Sequence, residues 1–116
     1  MSCNITVSVS DGFAKEAKRL AKKYKSFKQD YKNFLESIKN NPLQGDEITK
    51  NIRKIRMAIG AKGKGKSGGA RVITFNILTD VQNGQVVLLL IYDKEDASTV
   101  KTNVVKQMVR DMGFEI

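Results

Sequence analysis

Hydrophobic and polar positions alternate at the start of the chain. Cys3, Ile5, Val7 and Val9 are separated by polar residues, the period-two signature of a strand with one buried face. The period then lengthens. Phe13, Ala17, Leu20, Ala21 and Tyr24 fall at helical spacing behind Ser10-Asp11-Gly12, a helix start signal. Phe27, Tyr31, Phe34, Leu35 and Ile38 form a second helical stripe. Ser26, with Gln29 three residues on, predicts a capping box at its start, and Asn41-Pro42 ends it. With only Lys25-Ser26 between them, the two segments predict an antiparallel helical hairpin. Its outer faces carry Lys15, Lys18, Lys22, Lys25, Lys28 and Lys32.

From Lys54 the period returns to two, with Ile55, Met57 and Ile59 on one face and Lys54, Arg56 and Ala58 on the other. A glycine- and lysine-rich loop, Gly60 to Gly69, leads to a strand over Arg71–Leu78. Asn83-Gly84 is a two-residue hairpin signal opening into Gln85–Tyr92. That run is apolar at nearly every position, which predicts a central strand covered on both faces. After Asp93-Lys94-Glu95-Asp96, a final helix is expected from about Ser98. Val100, Val104, Val105, Met108, Val109 and Met112 form its apolar side. The order β-α-α-β-β-β-α, without repeat or linker, predicts one α+β domain over residues 1–116, with a helical hairpin and a C-terminal helix packed on a largely antiparallel sheet.

Composition narrows the chemistry. The 116 residues contain no histidine, which excludes mechanisms built on a histidine base, nucleophile or metal ligand. The lone Cys3 permits no internal disulfide and reads as core packing. The longest apolar run, Val86 to Ile91, is far short of a membrane span, and the first residues lack a signal-peptide pattern. A cytoplasmic protein without membrane association is the expectation.

The formal charge of +9 is unevenly spread. Residues 48–79 hold eight basic residues and no acid (Lys50, Arg53, Lys54, Arg56, Lys62, Lys64, Lys66 and Arg71). The flanking segments, 1–47 and 80–116, net only +3 and −2. So focused a field attracts a polyanion, of which nucleic acid is the commonest. Lys54 and Arg56, two residues apart, point to one side of their strand. Lys62, Lys64 and Lys66 alternate with glycines on a flexible backbone that can close on a phosphate. Arg71, opening the returning strand, has a side chain suited to bidentate phosphate contact. An antiparallel sheet would bring Tyr92 and Lys94 near Arg71.

Two motifs are weaker than they look. Residues 60–67 match the nucleotide-binding pattern G-x-x-x-x-G-K-[ST], but a strand follows where the motif needs a helix. No bound nucleotide is expected. Asp93, Glu95 and Asp96 precede the final helix, where they favour the positive end of its dipole. Neither a metal site nor any other cofactor is expected.

The combination Lys54-Ile55-Arg56-Met57-Ala58, Gly63-Lys64-Gly65-Lys66-Ser67-Gly68-Gly69-Ala70-Arg71-Val72-Ile73 and Leu90-Ile91-Tyr92-Asp93-Lys94 resembles the RelE/ParE toxin superfamily, most closely its HigB-like branch. With the helical hairpin ahead of these segments, the likeness covers nearly the whole chain. The resemblance implies a RelE-like fold and the toxin of a type II toxin–antitoxin pair: a metal-independent mRNA endoribonuclease acting on the ribosome and inhibiting translation. A ribose 2′-hydroxyl would attack the adjacent phosphate and leave a 2′,3′-cyclic end. On this view Lys54 or Lys66 is the base, made more acidic by neighbouring cations. Arg56 and Arg71 stabilise the phosphorane, and Lys94 is an acid or a further stabiliser. Lys62, Lys64, Arg53 and Tyr92 contact RNA. Some members carry a tyrosine after the last strand, where this chain has Ser98, Thr99, Val100 and Lys101. The implied partner is a cognate antitoxin, often of helix-turn-helix type. The alternative is a non-enzymatic protein of the same fold that binds nucleic acid or gyrase.

Overall fold

The computed structural model describes residues 4–80, 82–96 and 100–114. Its elements are β1 (Asn4–Val9), α1 (Asp11–Lys23), α2 (Phe27–Asn40), β2 (Asp46–Thr49), β3 (Ile52–Met57), a 3-10 turn (Gly60–Lys62), α3 (Gly65–Gly68), β4 (Ala70–Asp80), β5 (Asn83–Asp93) and α4 (Thr102–Asp111). The strands form one sheet in the order β1-β5-β4-β3-β2, parallel between β1 and β5 and antiparallel elsewhere. The chain is thus an α+β domain with a mostly antiparallel sheet. No helix among the described residues is long and apolar enough to cross a membrane.

The sheet has two covered faces because its inner strands are apolar on both. On one side Ile55, Met57, Val72, Val86 and Leu88 meet Phe13 and Leu20 of α1 and Phe27, Phe34 and Ile38 of α2. On the other, Ile52, Ile73, Phe75, Val87 and Leu89 meet Val105 and Val109 of α4. Each such side chain contributes on the order of 1.5–3 kcal/mol by leaving water. The apolar run Val86–Ile91 is therefore an inner strand, as its sequence predicts. Between Ile73 and Thr74 the β4–β5 register slips and Leu89 is left over. Its carbonyl accepts the Ser10 hydroxyl at 2.8 Å, while Ser10 Oγ accepts from the Phe13 amide at 3.0 Å. One side chain thus caps α1 and satisfies the bulge.

Several expectations need correction. Ser26 forms no capping box: it has helical dihedrals and makes no capping hydrogen bond. It donates instead to Asp30 Oδ2 (2.7 Å) and accepts from the Ala61 amide (2.7 Å), and Asp30 Oδ2 accepts from the Gly60 amide (3.0 Å). A tertiary contact has replaced the local one.

Asn83-Gly84 is not the hairpin turn. Asp80 and Asn83 are register partners, and the Asp80 carboxylate accepts from the Gln82 amide and the Asn83 side chain. Gly84 lies inside β5, where a Cβ would stand 2.4 Å from the Ile77 carbonyl oxygen. The short edge strand β2 has no counterpart in the sequence reading, because Asp46-Glu47-Ile48-Thr49 shows no apolar alternation. Its turn is marked only by Asn51, whose φ of 65° asparagine tolerates.

Val9, expected on a buried face, is 43% exposed at the end of an edge strand. Cys3 lies outside the described residues. The last helix starts at Thr102 rather than near residue 98, and Val104 and Met112 are exposed, because α4 touches the sheet along the narrow Val105–Val109 ridge.

Candidate nucleic-acid interface

The basic segment is organised by β3 and β4, whose register places Arg56 directly opposite Arg71. On its other side Arg71 pairs with Tyr92, so one row crosses three strands: Arg56, Arg71, Tyr92. Side-chain alternation from Ile52 and Ile73 puts Lys54, Arg56 and Arg71 on the α4 side of the sheet, beyond the strip that α4 covers. Lys54 precedes Arg56 by one pleat repeat, roughly 7 Å. The Lys94 amide donates to the Gly69 carbonyl at 3.1 Å, which brings the end of β5 against the glycine-rich loop. The juxtaposition of Tyr92 and Lys94 with Arg71 is as the sequence predicts.

That loop is tied down rather than free. Gly60 and Ala61 are held by Asp30 and Ser26. Lys62 turns inward, its side chain 4% exposed, and donates to Asp93 Oδ1 at 2.6 Å. Asp93 is wholly buried and also accepts from the Tyr24 hydroxyl and, at 3.0 Å, the Glu95 amide. Burial alone would raise the Asp93 carboxyl, but the bonds from Lys62, Tyr24 and Glu95 outweigh it and hold the group at about 2. Burial works against the Lys62 ammonium too, and Asp93 reverses that, leaving its pKa raised. Gly69 closes the loop: a Cβ there would stand 2.1 Å from the Met57 carbonyl oxygen.

Arg71 is the fourth tie. Only 6% exposed, it donates through Nη1 to the carbonyls of Lys66 (3.1 Å) and Ala70 (3.2 Å), and through Nη2 to that of Ser67 (2.9 Å). It clamps the one-turn α3. The nucleotide-motif string therefore folds as a 3-10 turn and a single helical turn leading into a strand.

The expected site residues divide into two groups. Arg53 emerges on the face opposite Arg56 and donates to the carbonyls of Gln44 (2.9 Å) and Gly45 (3.0 Å), so it braces the β2 approach. Lys62 is likewise held inward, against Asp93. Lys64 is exposed but lies 3.4 Å from Glu95 Oε1. The Tyr92 hydroxyl is buried without a hydrogen-bond partner among the described residues, and desolvation pushes its pKa up against the opposing charge of Arg71.

Lys54, Arg56, Lys66 and Lys94 make no ion pair and no side-chain hydrogen bond among the described residues. Arg56, Lys66 and Lys94 are exposed and Lys54 is half-buried.

Two clefts flank α3. One, of about 320 Å³, is lined by Lys64, Ser67, Gly68, Lys94 and Glu95. The other, of about 260 Å³, lies between α2 and β3 and is bordered by Arg56 and Lys66. The acids expected at the helix start are not there, since the first turn of α4 holds none. Asp93 and Glu95 pair with loop lysines, and Asp96 lies 3.1 Å from Arg19. Asp93, Lys62 and Tyr24 form a framework that the sequence reading missed. Its only signal was a carboxylate ending an otherwise apolar strand. Among the described residues no group of three or more histidine, cysteine or acidic side chains is placed to hold a metal ion.

Compared with models of known protein families, the chain matches none.

Proposed function

We propose that this chain grips single-stranded RNA with Lys54, Arg56, Lys66 and Lys94 and acts as the toxin of a type II toxin–antitoxin pair, cleaving ribosome-bound mRNA without a metal. The observation that carries the RNA grip is the division of the basic side chains. Four of them are tied up by the protein's own groups, and four on β3, in α3 and at the end of β5 have no partner among the described residues. The step from RNA binding to cleavage rests on the resemblance of the Lys54–Ala58, Gly63–Ile73 and Leu90–Lys94 segments to RelE-type toxins.

In the reaction, the amine of Lys54 or Lys66 takes the proton of a ribose 2′-hydroxyl, whose oxygen then attacks phosphorus. Arg56 neutralises the developing phosphorane charge. The P–O5′ bond breaks, the departing oxygen takes a proton from Lys94, and the products are a 2′,3′-cyclic phosphate and a 5′-hydroxyl. Arg71 acts here as a positioning residue, because its guanidinium holds the carbonyl of Lys66. A groove of about 390 Å³ between α1 and α2, with Val9, Phe13, Ala17 and Ala21 inside and Lys18 and Lys28 at its rim, favours an antitoxin that docks away from the RNA surface through an apolar segment flanked by acids.

The test is mapping of RNA 3′ ends after brief induction in a translating extract. Codon-phased cyclic-phosphate ends with the wild type, lost in Arg56→Ala, support the proposal. Intact RNA with folded protein present in the extract overturns it. A second reading, a binding protein of this fold without catalysis, is favoured by one observation: Arg71 and Tyr92, two groups the resemblance makes functional, are turned into the protein. RNA that is bound but never cut would establish it.

A further inference from the structure

We propose that the cleft between α2 and the free end of β3 is a nucleobase subsite, which reads the identity of one base beside the phosphate held by Arg56 and Lys66. This rests on the RNA reading above and adds where specificity resides.

The cleft exists because β2 is short. It pairs with β3 only as far as Lys54, so the rest of β3 is a bare sheet edge facing α2. The gap of about 260 Å³ is below the ~300–1,000 Å³ of drug-sized pockets, a space for one base and not for a longer ligand. Phe34 and Met57 line it as apolar surface, and Lys66 and Arg56, the latter on the stretch of β3 beyond its pairing with β2, line it too. Asp30, Asn33 and Ser37 share one face of α2 at helical spacing and line the cleft.

Among the described residues, their hydrogen-bonding capacity is only partly used. Asn33 Oδ1 accepts from Gln29 at 2.9 Å, and its Nδ2 is left to donate. Ser37 Oγ accepts from Gln44 Nε2 at 2.8 Å, and its own proton is left. Asp30 uses Oδ2 for Ser26 and Gly60, and Oδ1 is left to accept. Two donors and an acceptor on one helix, above an apolar floor and next to two cations without a partner among the described residues, match what an unstacked base with its phosphate presents: a polar edge, a flat face and an anion. A cleft for phosphate alone would need the cations and not the amide, hydroxyl and carboxylate behind them.

The experiment is an NMR titration of the ¹⁵N-labelled full chain with each of the four ribonucleoside 3′-monophosphates and, separately, with inorganic phosphate. Asn33→Ala/Ser37→Ala is run alongside, since alanine preserves the helix. The expected result is a spread of about tenfold in affinity among the four bases, the discrimination that one or two hydrogen bonds supply. The Asn33 side-chain amide should move with nucleotides but not with phosphate. In the double variant the spread should fall to about twofold while phosphate binding persists. Equal affinities that leave Asn33 unmoved, with an RNA oligonucleotide still bound through Arg56, overturn the base subsite and leave the RNA reading standing. If neither the nucleotides nor the oligonucleotide binds, both fall.

Discussion

Lys62 Nζ lies 2.6 Å from Asp93 Oδ1, with the lysine side chain 4% exposed and the aspartate fully buried. This contact joins the glycine-rich loop to the end of β5, and the Tyr24 hydroxyl adds α1 to the same carboxylate. Asp93→Asn removes the buried charge and leaves the ammonium only the exposed Glu95 Oε1 at 3.5 Å. A loss of about 3 kcal/mol is expected in urea unfolding, with Lys62→Met/Asp93→Asn losing less than the two single changes together.

The same carboxylate sets an acid limit. Its folded pKa, about 2, is below the unfolded value near 4, so its contribution is fully present above pH ~4 and fades as pH falls through 2. Unfolding followed between pH 5 and 2 should show about 2 kcal/mol of stability disappearing in that window, and Asp93→Asn should flatten this part of the curve.

Arg56 and Arg71, facing partners on one ladder, should answer differently to alanine. Arg71→Ala removes the side-chain donor to three carbonyls of residues 66–70 and should cost about 1–3 kcal/mol, with faster amide exchange in the loop. Arg56→Ala, on an exposed side chain, should keep stability within about 0.5 kcal/mol and weaken RNA binding. Equal stability losses in the two variants would refute this division of roles.

Salt dependence separates the cations further. Replacing Lys66 or Lys94 should each lower the slope of log affinity against log salt for single-stranded RNA by ~0.7, one phosphate contact apiece. Arg53→Ala should leave that slope unchanged, since its guanidinium is bound to the Gln44 and Gly45 carbonyls.

Cleavage by this mechanism uses no metal. RNA 3′-end formation should persist in EDTA, in an extract whose ribosomes are shown to be intact, and its loss there would count against the lysine chemistry.

Local periodicity determined much of this protein. The stripes of α1 and α2, the alternation Ile55-Met57-Ile59 and the unbroken apolar run of β5 each fix an element and its buried face, because burying a stripe is the dominant favourable term and its period is written in the chain. A short polar strand such as β2, and an edge residue such as Val9, carry no comparable signal. The candidate site was legible as a list of cations but not as a surface. Residues 48–79 contain no acid, yet folding brings Asp93 and Glu95 onto Lys62 and Lys64, and backbone carbonyls onto Arg53 and Arg71. Which charges remain for a ligand was decided by the tertiary structure alone, because an ion pair or a carbonyl clamp depends on distances of about 3 Å, between groups far apart in sequence for Lys62 and Asp93 and across a folded loop for Arg71, and no pattern along the chain encodes those distances.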